Sequence, residues 1–125
     1  MTQPLVSIVI TTKNEEQNIE NCLLSIKEQT YSNIEIILVD NNSKDKTIEI
    51  ALNFTRKIFN KGLERSAQRN YGMNIIARGK YVMFLDADMI LGPKTTEACV
   101  SMIEKGSWLA LHIPEFILGK RYFPC

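Results

Sequence analysis

Two aspartates separated by one alanine, Asp86 and Asp88, close an apolar run at residues 82–85. Carboxylates at i and i+2 of an extended segment point to one side, where their repulsion needs a neutralising cation. With oxygen ligands only, that cation is a hard one. Mg²⁺ or Mn²⁺ takes one or two carboxylates, keeps several waters and completes its shell with substrate phosphates. The pair therefore implies a diphosphate ligand. Neither glycine-rich phosphate cradle, G-x-G-x-x-G or G-x-x-x-x-G-K-[ST], occurs in the chain, so metal rather than a glycine loop would hold the phosphates. Two further polar clusters, TTKNE at residues 11–15 and DNNS at residues 40–43, follow two other apolar runs. Each has a plainer reading. Asn14 and Ser43 can cap the next helix, and Asp88 can open a turn before Gly92-Pro93.

The elements that would position these clusters follow from periodicity. VSIVITT (6–12) and IEIILVD (34–40) are short, β-branched and almost continuously apolar, as strands covered on both faces are. Helical spacing of Ile19, Cys22, Leu23 and Ile26 predicts a helix over 15–29, with Asn14 and Gln17 as a capping box. A second helix carries Ile48, Ala51 and Leu52, and a third strand covers 57–59. A helix over 64–77 would present Ala67, Tyr71 and Ile75 on one face, with Gly72 weakening its middle. A fourth strand at 80–85 reaches the aspartates, a helix runs from Pro93 to Lys105 with Gly106 as its stop, and a last strand covers 108–113. Strand and helix in this alternation predict an α/β fold: a doubly wound, mostly parallel sheet flanked by helices in a single domain, 1–125, with 115–125 as an irregular tail. In such sheets ligands bind beyond the carboxyl ends of the strands, where all three polar clusters fall.

Four blocks stand in order: VSIVITTKNE (6–15), VDNNS (39–43) with Asp45 beyond it, AQRNYG (67–72) and GKYVMFLDAD (79–88). Together they resemble the nucleotide-sugar half of a GT-A glycosyltransferase of family 2 over residues 5–92. The resemblance implies a metal-dependent, inverting enzyme that binds a nucleoside-diphosphate sugar, UDP-sugar favoured, and passes the sugar to an acceptor hydroxyl on a saccharide, lipid or protein. It places Thr11, Thr12, Lys13, Asn14 and Glu15 along the nucleobase and ribose, and Asp40 with Asn41 at the base edge. Arg69 would approach the nucleotide or brace that loop. The Asp86-Ala87-Asp88 block would meet the ribose and diphosphate, with Asp88 as metal ligand and Asp86 at the ribose or a metal-bound water. Two positions depart from the family pattern. Asn41 stands where many members carry a second aspartate, and Lys13 where an aromatic often stacks on the base.

The general base that inversion requires lies, in the family, beyond the Asp-x-Asp on an acceptor half, and this chain ends 37 residues after Asp88. Glu115 is the one carboxylate past Glu104 and the sole candidate for that base. The fold thus reads as truncated, and a non-catalytic nucleotide-sugar-binding or self-associating fragment is the alternative. Phe116, Ile117, Tyr122 and Phe123 leave an apolar edge that a homodimer would cover. A net charge of +1 without basic runs gives no footprint for nucleic acid. Three cysteines lack paired spacings, and Cys22 and Cys99 sit in apolar stripes, as buried thiols do. Without a signal peptide or an apolar span the expected location is cytoplasmic, with the inner face of a membrane open to a longer relative.

Overall fold

The computed structural model describes residues 3–62 and 64–106. The expected strand at 108–113, the 115–125 tail with its dimer edge, and Glu115 lie outside the described residues. Four strands form one parallel sheet in the order β3-β2-β1-β4: β1 (Val6–Thr12), β2 (Ile34–Asp40), β3 (Ile58–Asn60) and β4 (Tyr81–Asp86). Helices α1 (Ile19–Lys27), α2 (Thr47–Ala51), α3 (Arg65–Tyr71) and α4 (Thr95–Gly106) connect or follow them.

Burial on both faces explains the near-continuous apolar strands. On one face Val6, Ile8 and Ile10 of β1 join Ile19, Cys22, Leu23 and Ile26 of α1, Ala51 of α2 and Val100 of α4 in a single core. On the other, Val9, Ile37 and Val39 pack with Tyr71, Ile76 and Ala77. The sheet is doubly wound, as predicted. Chain order reverses at β1: the first three strands step outward to β3, and the fourth crosses back to the other side of β1. The crevice beyond the ends of β1 and β4 is therefore the topological switch point, where ligands bind in open α/β sheets.

Three local readings are corrected. Helix α1 begins at Ile19, after a turn in which the N–H groups of Asn18 and Ile19 both donate to the Glu15 carbonyl. Asn14 is not its cap; it sits at φ 53° in the loop and bonds elsewhere. The helix expected over 64–77 is α-helical only to Tyr71, and residues Gly72–Ile76 form a π turn. Gln68 and Gly72 face inward, and within the widened turn it is Ile76 that packs on the core while Ile75 is exposed. Gly72 is what allows the close approach: a Cβ there would lie 2.5 Å from Cγ1 of Val9. Cys22 is a buried free thiol as expected. Cys99, equally buried, is disulfide-bonded and not a thiol.

A buried carboxylate ties the amino ends of the strands together. Glu35 of β2 accepts from the Ser7 hydroxyl, the Lys57 ammonium and, at 2.7 Å, the Arg78 N–H. Burial alone would raise its pKa, but these donors outweigh it and hold the carboxyl below its ordinary 4.5.

Candidate donor site

Thr11 and Thr12 end β1 in buried positions, and the parallel register sets Thr11 beside Asp86 on one flank and Thr12 beside Asp40 on the other. The three polar clusters thus meet at the carboxyl edge. Asp40 is buried and heavily engaged. Its Oδ1 accepts from the hydroxyls of Thr12 (2.5 Å) and Ser43 (2.6 Å), and its Oδ2 from the Ser43 N–H (2.8 Å). Neighbouring Asn41 is buried too, its N–H donating to the Thr12 carbonyl at 2.9 Å.

The two loops are stitched to one another by side chains that the sequence reading assigned to helix caps or did not single out. Asn14 donates its N–H to the Ser43 hydroxyl (2.8 Å) and accepts at Oδ1 from the Lys44 N–H (2.8 Å). Glu15 N–H donates to Thr47 Oγ1 (2.8 Å) and Glu16 N–H to Asp45 Oδ2 (3.1 Å), while Lys46 N–H returns a bond to Glu16 Oε1 (3.0 Å). Asparagine tolerates left-handed backbone, which suits Asn14 and also Asn42 at φ 50°. The capping role expected of Ser43 belongs instead to Asp45, whose Oδ1 accepts from the Thr47 N–H at 3.0 Å. Beneath the loops, buried Gln68 donates to the carbonyls of Val39 (2.7 Å) and Thr12 (3.1 Å). Lys13 is exposed and Glu15 half-buried.

The aspartates differ from each other. β4 ends at Asp86, and the N–H of Met89 turns back to the Asp86 carbonyl at 3.0 Å, so Asp88 stands in a turn rather than in the strand. Ala87 is buried in the α1 core, which pins the backbone between the two carboxylates. Asp86 faces α3, where Arg69 Nη2 approaches Oδ1 at 3.2 Å and Arg65 Nη1 approaches Oδ2 at 3.8 Å. Arg69 also lies over the Phe84 ring, 5.9 Å from its centroid. Asp88 is exposed and has no hydrogen bond or ion pair among the described residues. The fields of both aspartates and of Glu15 converge on one buried group, the Cys22 thiol. Burial first, then Asp88, Asp86 and Glu15, push its pKa to about 12.

Among the described residues no group of three or more His, Cys, Asp or Glu could hold a metal ion. A hard divalent ion that completes its shell with waters and phosphates does not need one. Asp88, exposed and without a partner among the described residues, has the chemistry such an ion takes, whereas Asp86 is engaged by Arg69 and Arg65.

The sequence pattern of Glycosyl transferase family 2 matches residues 7–119. The chain belongs to this family. An uncharacterized glycosyltransferase of Methanocaldococcus jannaschii is 42% identical over 106 residues, covering 78% of this chain and 36% of that protein. The chain spans well under half the length of the first curated relatives it matches, at 38%, 36% and 42%. Two solved structures show the same GT-A fold. Staphylococcus aureus TarS 1-349 in complex with UDP-GlcNAc superposes with a TM-score of 0.69 at 25% identity, over 81% of this chain and 31% of that one. The mannosyltransferase PcManGT of Pyrobaculum calidifontis, in complex with GDP-Man and Mn²⁺, gives 0.64 at 26% identity, over 78% and 31%. Among the described residues no helix is long and apolar enough to cross a membrane.

Proposed function

We propose that the carboxyl edge of this sheet binds a nucleoside-diphosphate sugar together with Mg²⁺ or Mn²⁺, and that the whole protein transfers the sugar to an acceptor hydroxyl with inversion. The observation that carries the reading is the asymmetry of Asp86 and Asp88. One carboxylate is already compensated by arginines. The other is exposed and unpaired among the described residues, at the switch point of the sheet.

Asp88 would ligate the divalent ion, and Asp86 would meet the ribose or a water on that ion. When bound, the ion supplies positive charge where the leaving diphosphate gains negative charge. The chain's own residues do the rest. Thr11 to Glu15, held to the next loop by Asn14, Glu16, Ser43 and Asp45, would present one fixed backbone to the nucleobase and ribose. Asp40 would still reach the base edge beside Asn41, although its three donors leave about one of its four lone-pair sites for a base N–H. Arg69, steadied over Phe84, would stand beside the diphosphate.

The two liganded neighbours carry different bases, UDP-GlcNAc in one and GDP-Man in the other. Their shared chemistry is the sugar diphosphate, and the UDP-sugar preference implied by the family resemblance is the finer part of the proposal. Calorimetric titration of UDP and of GDP, each with and without Mn²⁺, tests both parts. The expected result is binding that requires Mn²⁺, with UDP the tighter of the two. Equal binding with and without metal would refute the metal-bridged site, and tighter GDP binding would reverse the base.

A further inference from the structure

At the carboxyl end of β4 the charges are arranged in a way that neither the motif nor the family pattern assigns. Arg65 and Arg69 are four residues apart on α3, so they share a face, and both reach Asp86, whose side chain is only 13% exposed. They are held differently. Arg69 makes the shorter contact and rests against Phe84. Arg65 is 61% exposed and, among the described residues, engages Asp86 alone, at 3.8 Å. A long ion pair on a solvated side chain is weak and readily exchanged for a better anion.

Two carboxylates against two guanidiniums leave this end of the empty site near neutrality. A divalent cation and the doubly negative diphosphate of a sugar nucleotide, arriving together, leave it near neutrality again. Either one arriving alone does not. Resting on the donor-site reading above, we infer that Arg65 is a positioning residue that screens Asp86 until the donor arrives and then turns to the diphosphate, so that metal and diphosphate bind as a unit. The planar fork of a guanidinium suits both partners, carboxylate and phosphate. Arg65 was not among the residues the sequence motifs pointed to, because it precedes the AQRNYG block and shows its relation to Asp86 only once α3 is packed on the sheet.

The consequence is a pair of effects with opposite signs. Without Arg65 the empty site is more negative and its Asp86 less screened, which favours Mn²⁺ alone. The loaded site lacks one cation, which disfavours diphosphate. The test uses the full 125-residue chain as wild type, Arg65→Ala and Arg65→Lys, with thermal melting to confirm equal folding. Mn²⁺ alone is titrated by electron paramagnetic resonance, and UDP at saturating Mn²⁺ by calorimetry. Arg65→Ala should bind Mn²⁺ alone about threefold more tightly and UDP with Mn²⁺ about threefold more weakly, the size expected of an exposed pair. Both shifts should shrink at high salt, and Arg65→Lys, which keeps the charge but not the fork, should return both only part of the way toward wild type. No gain in Mn²⁺ affinity, or a loss in both titrations, overturns the inference. The two readings fail separately: absence of UDP binding in wild type defeats the donor site, whereas the Mn²⁺ titration reports on Arg65 and Asp86 with no nucleotide present.

Discussion

Gln29 gives the sharpest test of how the segment bearing Asp88 is held. Its amide, at the end of the α1 region, uses its full capacity in a buried setting. Nε2 donates to the carbonyls of Ser25 (3.0 Å) and Gly92 (2.6 Å), and Oε1 accepts from the N–H (3.0 Å) and hydroxyl (2.8 Å) of Thr96. The Thr96 N–H is one of the orphan donors at the start of α4, so Gln29 caps that helix from another element. Gln29→Leu keeps the volume, removes one of two donors from the Gly92 carbonyl, which still accepts from the Thr95 N–H at 3.1 Å, and leaves the buried Thr96 N–H without an acceptor. An orphaned buried group of this kind costs roughly 1–3 kcal/mol. That is a large part of the roughly 5–15 kcal/mol typical of a domain. Urea unfolding should show a lower midpoint with an unchanged slope, and the melting temperature should fall by roughly 10 °C. A loss under about 0.5 kcal/mol would mean that water or a shifted backbone satisfies the Thr96 N–H, and the distal cap would be refuted.

Gly72→Ala should destabilise by about 1–3 kcal/mol, because the new methyl would meet Val9 at 2.5 Å. Thermal melting checks this, and an unchanged midpoint would show that α3 can move off the sheet freely. Glu35→Gln should lower stability at neutral pH by about 1–3 kcal/mol, since three donors lose a charged acceptor. The pH dependence follows from the lowered pKa of Glu35. A carboxyl depressed in the native state contributes fully above its unfolded value near 4.5, and that contribution is lost as pH falls through the lower native value. The gap between wild type and Glu35→Gln in urea titrations should therefore be widest above the unfolded value and narrow progressively as pH falls below it; a gap that does not change with pH would point to packing instead.

Residue type and spacing were enough for the centre of the sheet. β1 and β2 match their expected bounds because both lie between covered faces, so most of their positions are apolar and many β-branched. β3 and β4 are displaced by one residue from the predicted spans, as flanking strands with mixed burial. The π turn was not legible, because periodicity assumes 3.6 residues per turn, and the close approach of Gly72 to Val9 is a contact between distant parts of the sequence. Gln29 and Gln68 look like solvated helix positions in sequence, yet both are buried amides bonded to carbonyls more than 25 residues away. A polar residue among apolar ones at helical spacing is the available signal, and it cannot name the partner. The Asp-x-Asp pair was visible as a motif, but its inequality was not. The strand ends between the two carboxylates, and the arginines that compensate one of them come from another layer.

The most direct test of the donor site is the metal dependence of nucleotide binding in Asp88→Asn beside the wild type. The substitution is nearly isosteric at an exposed side chain with no partner among the described residues, so folding should be unaffected. UDP affinity in the presence of Mn²⁺ should fall at least about tenfold, as expected when a ligating charge is lost, while the residual binding without metal should stay as in wild type. Unchanged Mn²⁺-dependent affinity in Asp88→Asn would contradict the assignment of Asp88 as the metal ligand and, with it, the reading of this edge as a metal-bridged donor site.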